Sequence, residues 1–327
     1  MPKPCTALAS PRTQRCFALA STLLLATTVF AGAAEPAAKS GGESKVGGID
    51  WNAKAAPWGA LKNAPMDAQK KSPFKIFDNV YYVGLQTVAA YLITTSDGLV
   101  LLDATYAQTA SLVLENIRAL GFDPKNIKHL IVSHAHGDHF AGAGEILQVA
   151  PAKVVMSELD WIETEKRQST GLPTNGLRLK RDVVVKDGET MKVGDTTFSF
   201  YISPGHTAGA LSTVYQVRDG MRSYRALSPG GLGFNFRADW TGPYLKSIER
   251  LKQLGPWDTI LANHAYMGPR DLFAVEKDLK VRGNSQHPGV FGAASINAWF
   301  DHILKASNEK QAFELKNPAP GATPAAK

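Results

Sequence analysis

The sequence predicts an α/β or α+β fold in which β-hairpins alternate with helices, built as one large layered domain. Three observations point there. Short runs rich in Val, Ile, Leu and Tyr are closed by Asp-Gly or Gly-Asp pairs, the signature of hairpins. Between them lie segments whose apolar residues recur every three or four positions, the spacing of one helix face. A chain of 327 residues, 44% hydrophobic, can also bury a sizeable core.

At the amino terminus, Lys3, Arg12 and Arg15 precede an apolar stretch over 17–30, and Ala31-Gly32-Ala33 offers small residues for cleavage. This is the pattern of a secretory signal peptide over 1–33, and the stretch is short for a membrane span. Cys16 precedes that stretch rather than following it, so lipid attachment is not expected. Residues 34–72 read as a flexible leader and N-terminal extension: 35–48 are rich in Ala, Gly, Ser and Lys, and 50–72 carry Trp51 and Trp58, expected near the mouth of a site.

The folded domain is expected over 73–316. Strand signals run through 75–84, 88–94 and 99–103, with Asp97-Gly98 as a hairpin turn. Residues 108–120 form a helix with Leu112, Val113, Ile117 and Leu120 on one face. Leu130-Ile131-Val132 is a buried strand, and 140–149 a helix begun by small residues. A strand over 153–157 leads into a helix over 158–167. Residues 181–201 read as successive strands broken by Asp187-Gly188 and Gly194-Asp195, and 211–217 pairs with 222–227 across Asp219-Gly220. Helices follow over 244–254, 270–281 and 294–306, and 317–327 is a disordered Pro/Ala tail.

The chemistry concentrates in Ser133-His134-Ala135-His136-Gly137-Asp138-His139, four candidate metal ligands within six residues at the end of a strand. Strand ends border crevices that a substrate can enter. Two imidazoles one residue apart can grip one ion, and the acid and third imidazole that follow can grip a second beside it. Two-metal hydrolases need that arrangement, with ions roughly 3.5–4 Å apart. Two more histidines follow strand-like runs: His206 in Ser203-Pro204-Gly205-His206-Thr207, and His264 after Ile260-Leu261-Ala262-Asn263. The other three of the eight histidines, His129, His287 and His302, lack such a setting and read as structural or surface groups.

Both cysteines, Cys5 and Cys16, lie in the signal segment, so export brings no disulfide framework. Removing that segment lowers the formal charge from +7 to +4, and no basic run suggests nucleic acid. No membrane partner is expected after cleavage.

The run from Val83 to Leu147 resembles metallo-β-lactamases, most closely their third subclass (B3). The resemblance is carried by Ala90-Tyr91-Leu92-Ile93-Thr94-Thr95, by Asp97-Gly98-Leu99-Val100-Leu101-Leu102-Asp103 and by the His-x-His-x-Asp-His motif; it resumes at Pro204-Gly205-His206-Thr207-Ala208-Gly209 and Asn263-His264 and spans roughly residues 73 to 306. It implies an αββα four-layer sandwich and a zinc-dependent hydrolase that opens the β-lactam ring of penicillins, cephalosporins and carbapenems with a metal-bound hydroxide. It further implies two zinc ions per chain, His134, His136 and His206 binding the first and Asp138, His139 and His264 the second. Asp138 would also orient the nucleophile. Asp103 would either support the ligands from behind or serve as a turn residue.

Ser228 stands 22 residues after His206, where many superfamily hydrolases carry a metal-bridging aspartate; serine there matches the third subclass and would bind the substrate carboxylate. Its setting, Leu227-Ser228-Pro229-Gly230, lacks the second serine of the usual Asp-Ser-x-Ser run, and Ala265 replaces the usual proline after His264. The other two subclasses use a cysteine ligand that the mature chain lacks. The alternative is an exported metallohydrolase of the same fold acting on another ester, lactone or amide. A non-catalytic zinc-binding protein would be expected to have lost a ligand, and this chain has lost none. The expected location is the periplasm or the exterior.

Overall fold

Runs that alternate apolar side chains along a strand bury both faces of a sheet only when each face is covered, and the sheets here are covered on both sides. The protein was analysed as a computed structural model that describes residues 45–46, 49–50, 65–171, 178–234, 236 and 238–317. The expected signal segment, Trp51, Trp58 and the tail beyond Asn317 lie outside the described residues.

Seven strands pair in chain order: β1 Phe74–Phe77, β2 Val80–Tyr82, β3 Tyr91–Thr95, β4 Gly98–Leu102, β5 Ile127–Ile131, β6 Lys153–Ser157 and β7 Val183–Val185. The first four are antiparallel, and β4 through β7 are parallel. Parallel neighbours need crossovers. These are supplied by α1 Ala110–Ala119, by the short α2 Gly137–Phe140 with α3 Ala143–Val149, and by α4 Glu158–Ser169. A second sheet comprises β8 Thr190–Val193, β9 Thr196–Ile202, β10 Leu211–Asp219, β11 Arg222–Ser228 and β12 Thr259–Ile260. Helix α5 Thr241–Gln253 carries the chain from β11 to its parallel neighbour β12, and α6 Leu272–Leu279 and α7 Gly292–Lys316 follow.

Strand alternation sorts the side chains into layers. Ile93, Val100 and Ile131 face Phe198, Phe200, Tyr215 and Val217 between the sheets. Their neighbours Leu92, Leu101 and Leu130 point the other way, against Val113, Ile117, Phe140, Ile146 and Trp161 of α1 to α4. On the far side, Val214 and Leu227 meet Tyr244, Ile248 and Leu251 of α5 and Phe300 and Ile303 of α7. The result is the expected αββα sandwich.

Three local differences from the sequence reading have physical causes. Residues 75–84 form a hairpin rather than one strand, because Asn79 Nδ2 donates to Gln216 O (3.0 Å) and Asn79 Oδ1 accepts from Arg218 N (2.9 Å), tying the turn to β10. Helix α7 passes position 306 because Ser307 Oγ and Asn308 Nδ2 donate to the carbonyls of Ile303 and Leu304, so residues that often break helices are satisfied within this one. Residues 65–72 are held by the domain: Gln86 N donates to Gln69 O (2.9 Å), Asn116 Nδ2 to Lys71 O (3.1 Å), and Lys71 pairs with Glu276. Among the described residues, no helix is long and apolar enough to cross a membrane.

At the end that bears the histidine motif, the sheets are joined by Leu211 N donating to Ser133 O (2.7 Å) and Tyr91 Oη to Ala262 O (2.6 Å). The helical segment after β5 breaks at Gly142, and the break is required by packing. A Cβ there would collide with the carbonyl oxygen of Ala104, while Gly142 N donates to Thr105 O (3.0 Å). Gly142→Ala is therefore expected to cost about 1–3 kcal/mol. Gly242→Ala in the first turn of α5, where the nearest atom to an added Cβ is the flexible Gln311 Nε2 at 3.5 Å, should be close to neutral. Urea denaturation midpoints of both variants decide this; equal midpoints would refute the packing argument.

Candidate metal centre

The carboxyl ends of β4, β5, β9 and β12 deliver the donor groups to one place. His134 (1% exposed), His139 (0%) and His264 (8%) are buried. Donor atoms of His134, His136 and His206 all lie within 4.8 Å of one another, and so do those of His134, Asp138 and His139. His264 joins on the Asp138 side: its Nε2 is 3.8 Å from Asp138 Oδ2, and its ring stands perpendicular to that of His139 at 5.2 Å. All six residues singled out from the sequence therefore meet, and His134 borders both groups.

An imidazole serves as a ligand through one nitrogen when its other N–H is held by a partner that fixes the ring. Those partners are present. His139 Nδ1 donates to Asp103 Oδ2 (2.7 Å), His206 Nδ1 to Gly233 O (3.0 Å) and His264 Nδ1 to Thr87 O (2.8 Å). Ser133 Oγ donates to Asp103 Oδ2 (2.8 Å), which leaves it able to accept from His134 Nδ1 (3.0 Å). The inward nitrogens of His134, His206 and His264 then carry lone pairs, and that of His139 offers one once a cation takes the place of its proton. His134 Nε2 and His139 Nε2 are buried without a hydrogen-bond partner; the latter lies 3.3 Å from Asp138 Oδ2, within ion-pair distance. His136 Nδ1 faces His206 Nε2 at 3.1 Å. Lone pairs converging on one small space fit a cation, and imidazole with carboxylate and no thiolate fits zinc.

Electrostatics agree. Burial, reinforced by neighbouring imidazoles, pushes His134 well below its ordinary value; burial chiefly sets His136 at about 4 and His206 at about 3, and also lowers His264. These rings are neutral at pH 7, the form that binds a metal. His139 differs. Burial opposes its charge, but the carboxylates of Asp138 and Asp103 raise it to about 10. Burial likewise opposes the charge on Asp138, yet the surrounding imidazoles, His139 foremost, hold its carboxyl below the usual carboxylate range.

Asp103 occupies a left-handed backbone conformation (φ 62°), and its Oδ1 accepts from Ser133 N at 2.7 Å. One carboxylate thus orients His139 and fixes the backbone just before His134, so it both supports ligands and sits at a turn. Ser228 lies at the end of β11, 9% exposed, with its hydroxyl 3.1 Å from Tyr215 Oη. His287 is buried, its Nε2 donating to Ile76 O (2.6 Å) and its ring stacked on Phe77, a structural group.

Gly233, Tyr215, Thr87 and Asp160 escaped the sequence reading. Thr87 contributes only a backbone carbonyl, which any residue could supply. Asp160 is 1% exposed and bound to the backbone around the motif; burial raises its carboxyl to about 6. The lone signal for it was an acidic residue in the first turn of a helix, which reads as ordinary helix chemistry.

A family model described as the metallo-beta-lactamase superfamily matches residues 83–221. The fold is similar to that of BJP-1, a subclass B3 metallo-β-lactamase of Bradyrhizobium japonicum, at 26% identity and TM-score 0.67, covering 76% of this chain and 96% of that one. It is also similar to the FEZ-1 metallo-β-lactamase of Legionella gormanii, at 25% identity and TM-score 0.66, covering 77% and 98%. A hydroxyacylglutathione hydrolase of Methylococcus capsulatus is 26% identical over 163 residues, 50% of this chain and 57% of that protein. The chain thus spans little more than half the length of that relative.

The opposed shifts predict a distinctive pattern in metal-free protein. At pH 7, His139 should carry both ring protons while His136 and His206 each carry one. Imidazole ¹⁵N shifts measured from pH 5 to 9 report this directly. A His139 that is already singly protonated at pH 7, like His136 and His206, would contradict the assigned hydrogen bonds.

Proposed function

We propose, for a chain that belongs to the metallo-β-lactamase superfamily, that it is an exported zinc hydrolase that opens the β-lactam ring of penicillins, cephalosporins and carbapenems. The observation that carries this reading is the convergence of six donor groups, His134, His136, His206, Asp138, His139 and His264, in a chain with serine rather than a carboxylate at the end of β11. Counting His134 with His136 and His206, and His264 with Asp138 and His139, gives each group three donors, which supports two zinc ions per chain. When bound, zinc acidifies water and polarises a carbonyl.

The protein's own groups do the rest. Asp138 stays ionised, so its carboxylate can accept a hydrogen bond from the attacking water and hold it in line with the amide carbon. Tyr215 stays a neutral phenol because burial raises it well above its ordinary value. It can therefore donate to Ser228 Oγ and leave the Ser228 hydroxyl hydrogen for a substrate carboxylate. Pro229 and Gly230 follow in place of a second serine, which favours weak substrate binding. The signal-like segment over 1–33 supports a periplasmic or secreted site of action, where these drugs are met.

A second reading, hydrolysis of another ester, lactone or amide, is favoured by the similarity to the hydroxyacylglutathione hydrolase. Arg225, Ala226 and Leu227, next to Ser228, offer no carboxylate in its place.

Zinc-loaded mature protein should hydrolyse all three drug classes with KM towards ~1 mM. Chelators should abolish the activity, and inhibitors that trap an acyl-serine should leave it unchanged. Ser228→Ala should raise KM about fivefold with little change in kcat, the loss of one hydrogen bond of about 1 kcal/mol made equally in ground and transition states. Cleavage of an acyl lactone or a thioester with no turnover of any β-lactam would replace this reading with the second.

A further inference from the structure

We propose that Asp160 is a positioning residue that sets the spacing of the three-histidine group by tying together the two loops that carry it. The inference rests on reading His134, His136 and His206 as donors to one metal.

Asp160 does not face the metal centre. Its place is fixed by the start of α4, where Ser157 caps the helix by accepting from Asp160 N (3.3 Å). From there the carboxylate reaches both loops. Asp160 Oδ2 accepts from Ala135 N (2.9 Å), the peptide between His134 and His136, and from Thr207 Oγ1 (2.8 Å), next to His206. Oδ1 accepts from Gly209 N (2.9 Å) on the same loop as His206. Ser157 Oγ adds a donation to Gly209 O (2.6 Å). The loop is pressed so closely that a Cβ on Gly209 would come within 2.9 Å of Asp160 Oδ1 and collide with Ser157 Oγ.

The contacts are specific to one half of the centre. None of the hydrogen bonds of Asp160 involves His139, His264 or the groups that orient them; those rings are oriented by Asp103 and by Thr87 O. Two buried carboxylates thus bind the backbone of the 133–139 loop in different ways: Asp103 orients His139 and, through Ser133, the His134 ring, whereas Asp160 ties the peptide between His134 and His136 to the loop that carries His206. All three donors to Asp160 are neutral, and they match an acceptor-only group. An amide of the same shape would set an N–H₂ against one of them.

The test is a cobalt(II) titration of metal-free protein followed by paramagnetic ¹H NMR, in which the ring N–H protons of the two histidine sets shift separately. In Asp160→Asn, affinity at the three-histidine position should fall 10–100-fold, as for loss of other groups that orient metal ligands, while the Asp138/His139/His264 position keeps its affinity. Asp160→Glu should recover part of the loss. Thr207→Val, which deletes one of the three donors and is the milder variant should Asp160→Asn fold poorly, should weaken the same position about fivefold. A purely structural role would lower the melting temperature of the metal-free protein and weaken both positions in parallel, and that result would overturn the proposal, as would unchanged cobalt binding in both variants. Wild-type protein that takes up no cobalt would instead overturn the metal reading beneath it, and the proposal with it.

Discussion

Five imidazoles and a carboxylate cannot be gathered into a water-poor space at the end of a sandwich unless each polar atom is given a partner. An unpaired buried polar group costs a few kcal/mol, and a charge far more. Much of the local structure answers this constraint. The outward nitrogens of four rings are held by Asp103, Ser133, Gly233 O and Thr87 O, which leaves only the inward nitrogens to be satisfied by a cation. The partners come from four separate segments, so the fold must bring those segments together before the site exists.

The constraint also explains a strained stretch of backbone. Asp103 and Thr105 both have φ near +60°, a conformation costing of order 1–3 kcal/mol for a residue other than glycine. It is held by Asp103 N donating to Ile131 O (2.9 Å), Ala104 N to His139 O (2.8 Å) and Gly142 N to Thr105 O (3.0 Å). The kink lets one carboxylate reach Ser133 and His139 together. The charges are arranged with the same economy. Asp103 and Asp138 both address His139, so the only ring that gains a proton in metal-free protein is the one flanked by two carboxylates, where a cation would take that proton's place.

Much of this was legible in the sequence because the signals are local. The apolar runs over 88–94 and 99–103 and the Asp97-Gly98 turn between them announced the hairpin of β3 and β4, and β6 falls where the run over 153–157 predicts. The six donors were legible because ligands follow strands within a few residues, and strand ends in this architecture converge. What escaped depends on distant partners. Gly142 reads as a small residue in a helix, yet its role is to clear the carbonyl of Ala104, 38 positions away. Asp160 reads as a residue of a helix first turn, yet its partners stand 25 and 47 positions away. Thr87 acts through a carbonyl and leaves no trace in its side chain. Residues 65–72 read as part of an extension near the mouth of a site, with no partner named, because nothing in them announces Glu276 or Asn116.

The central claim is that three loops, one from the first sheet and two from the second, bring together the donors of one two-metal centre. Anomalous diffraction at the zinc edge, from crystals of the mature protein grown with zinc, tests it most directly. The account predicts two peaks roughly 3.5–4 Å apart, one among His134, His136 and His206 and the other among Asp138, His139 and His264. A single peak closed by four protein ligands, or His264 turned away from the metal beside Asp138, would contradict it.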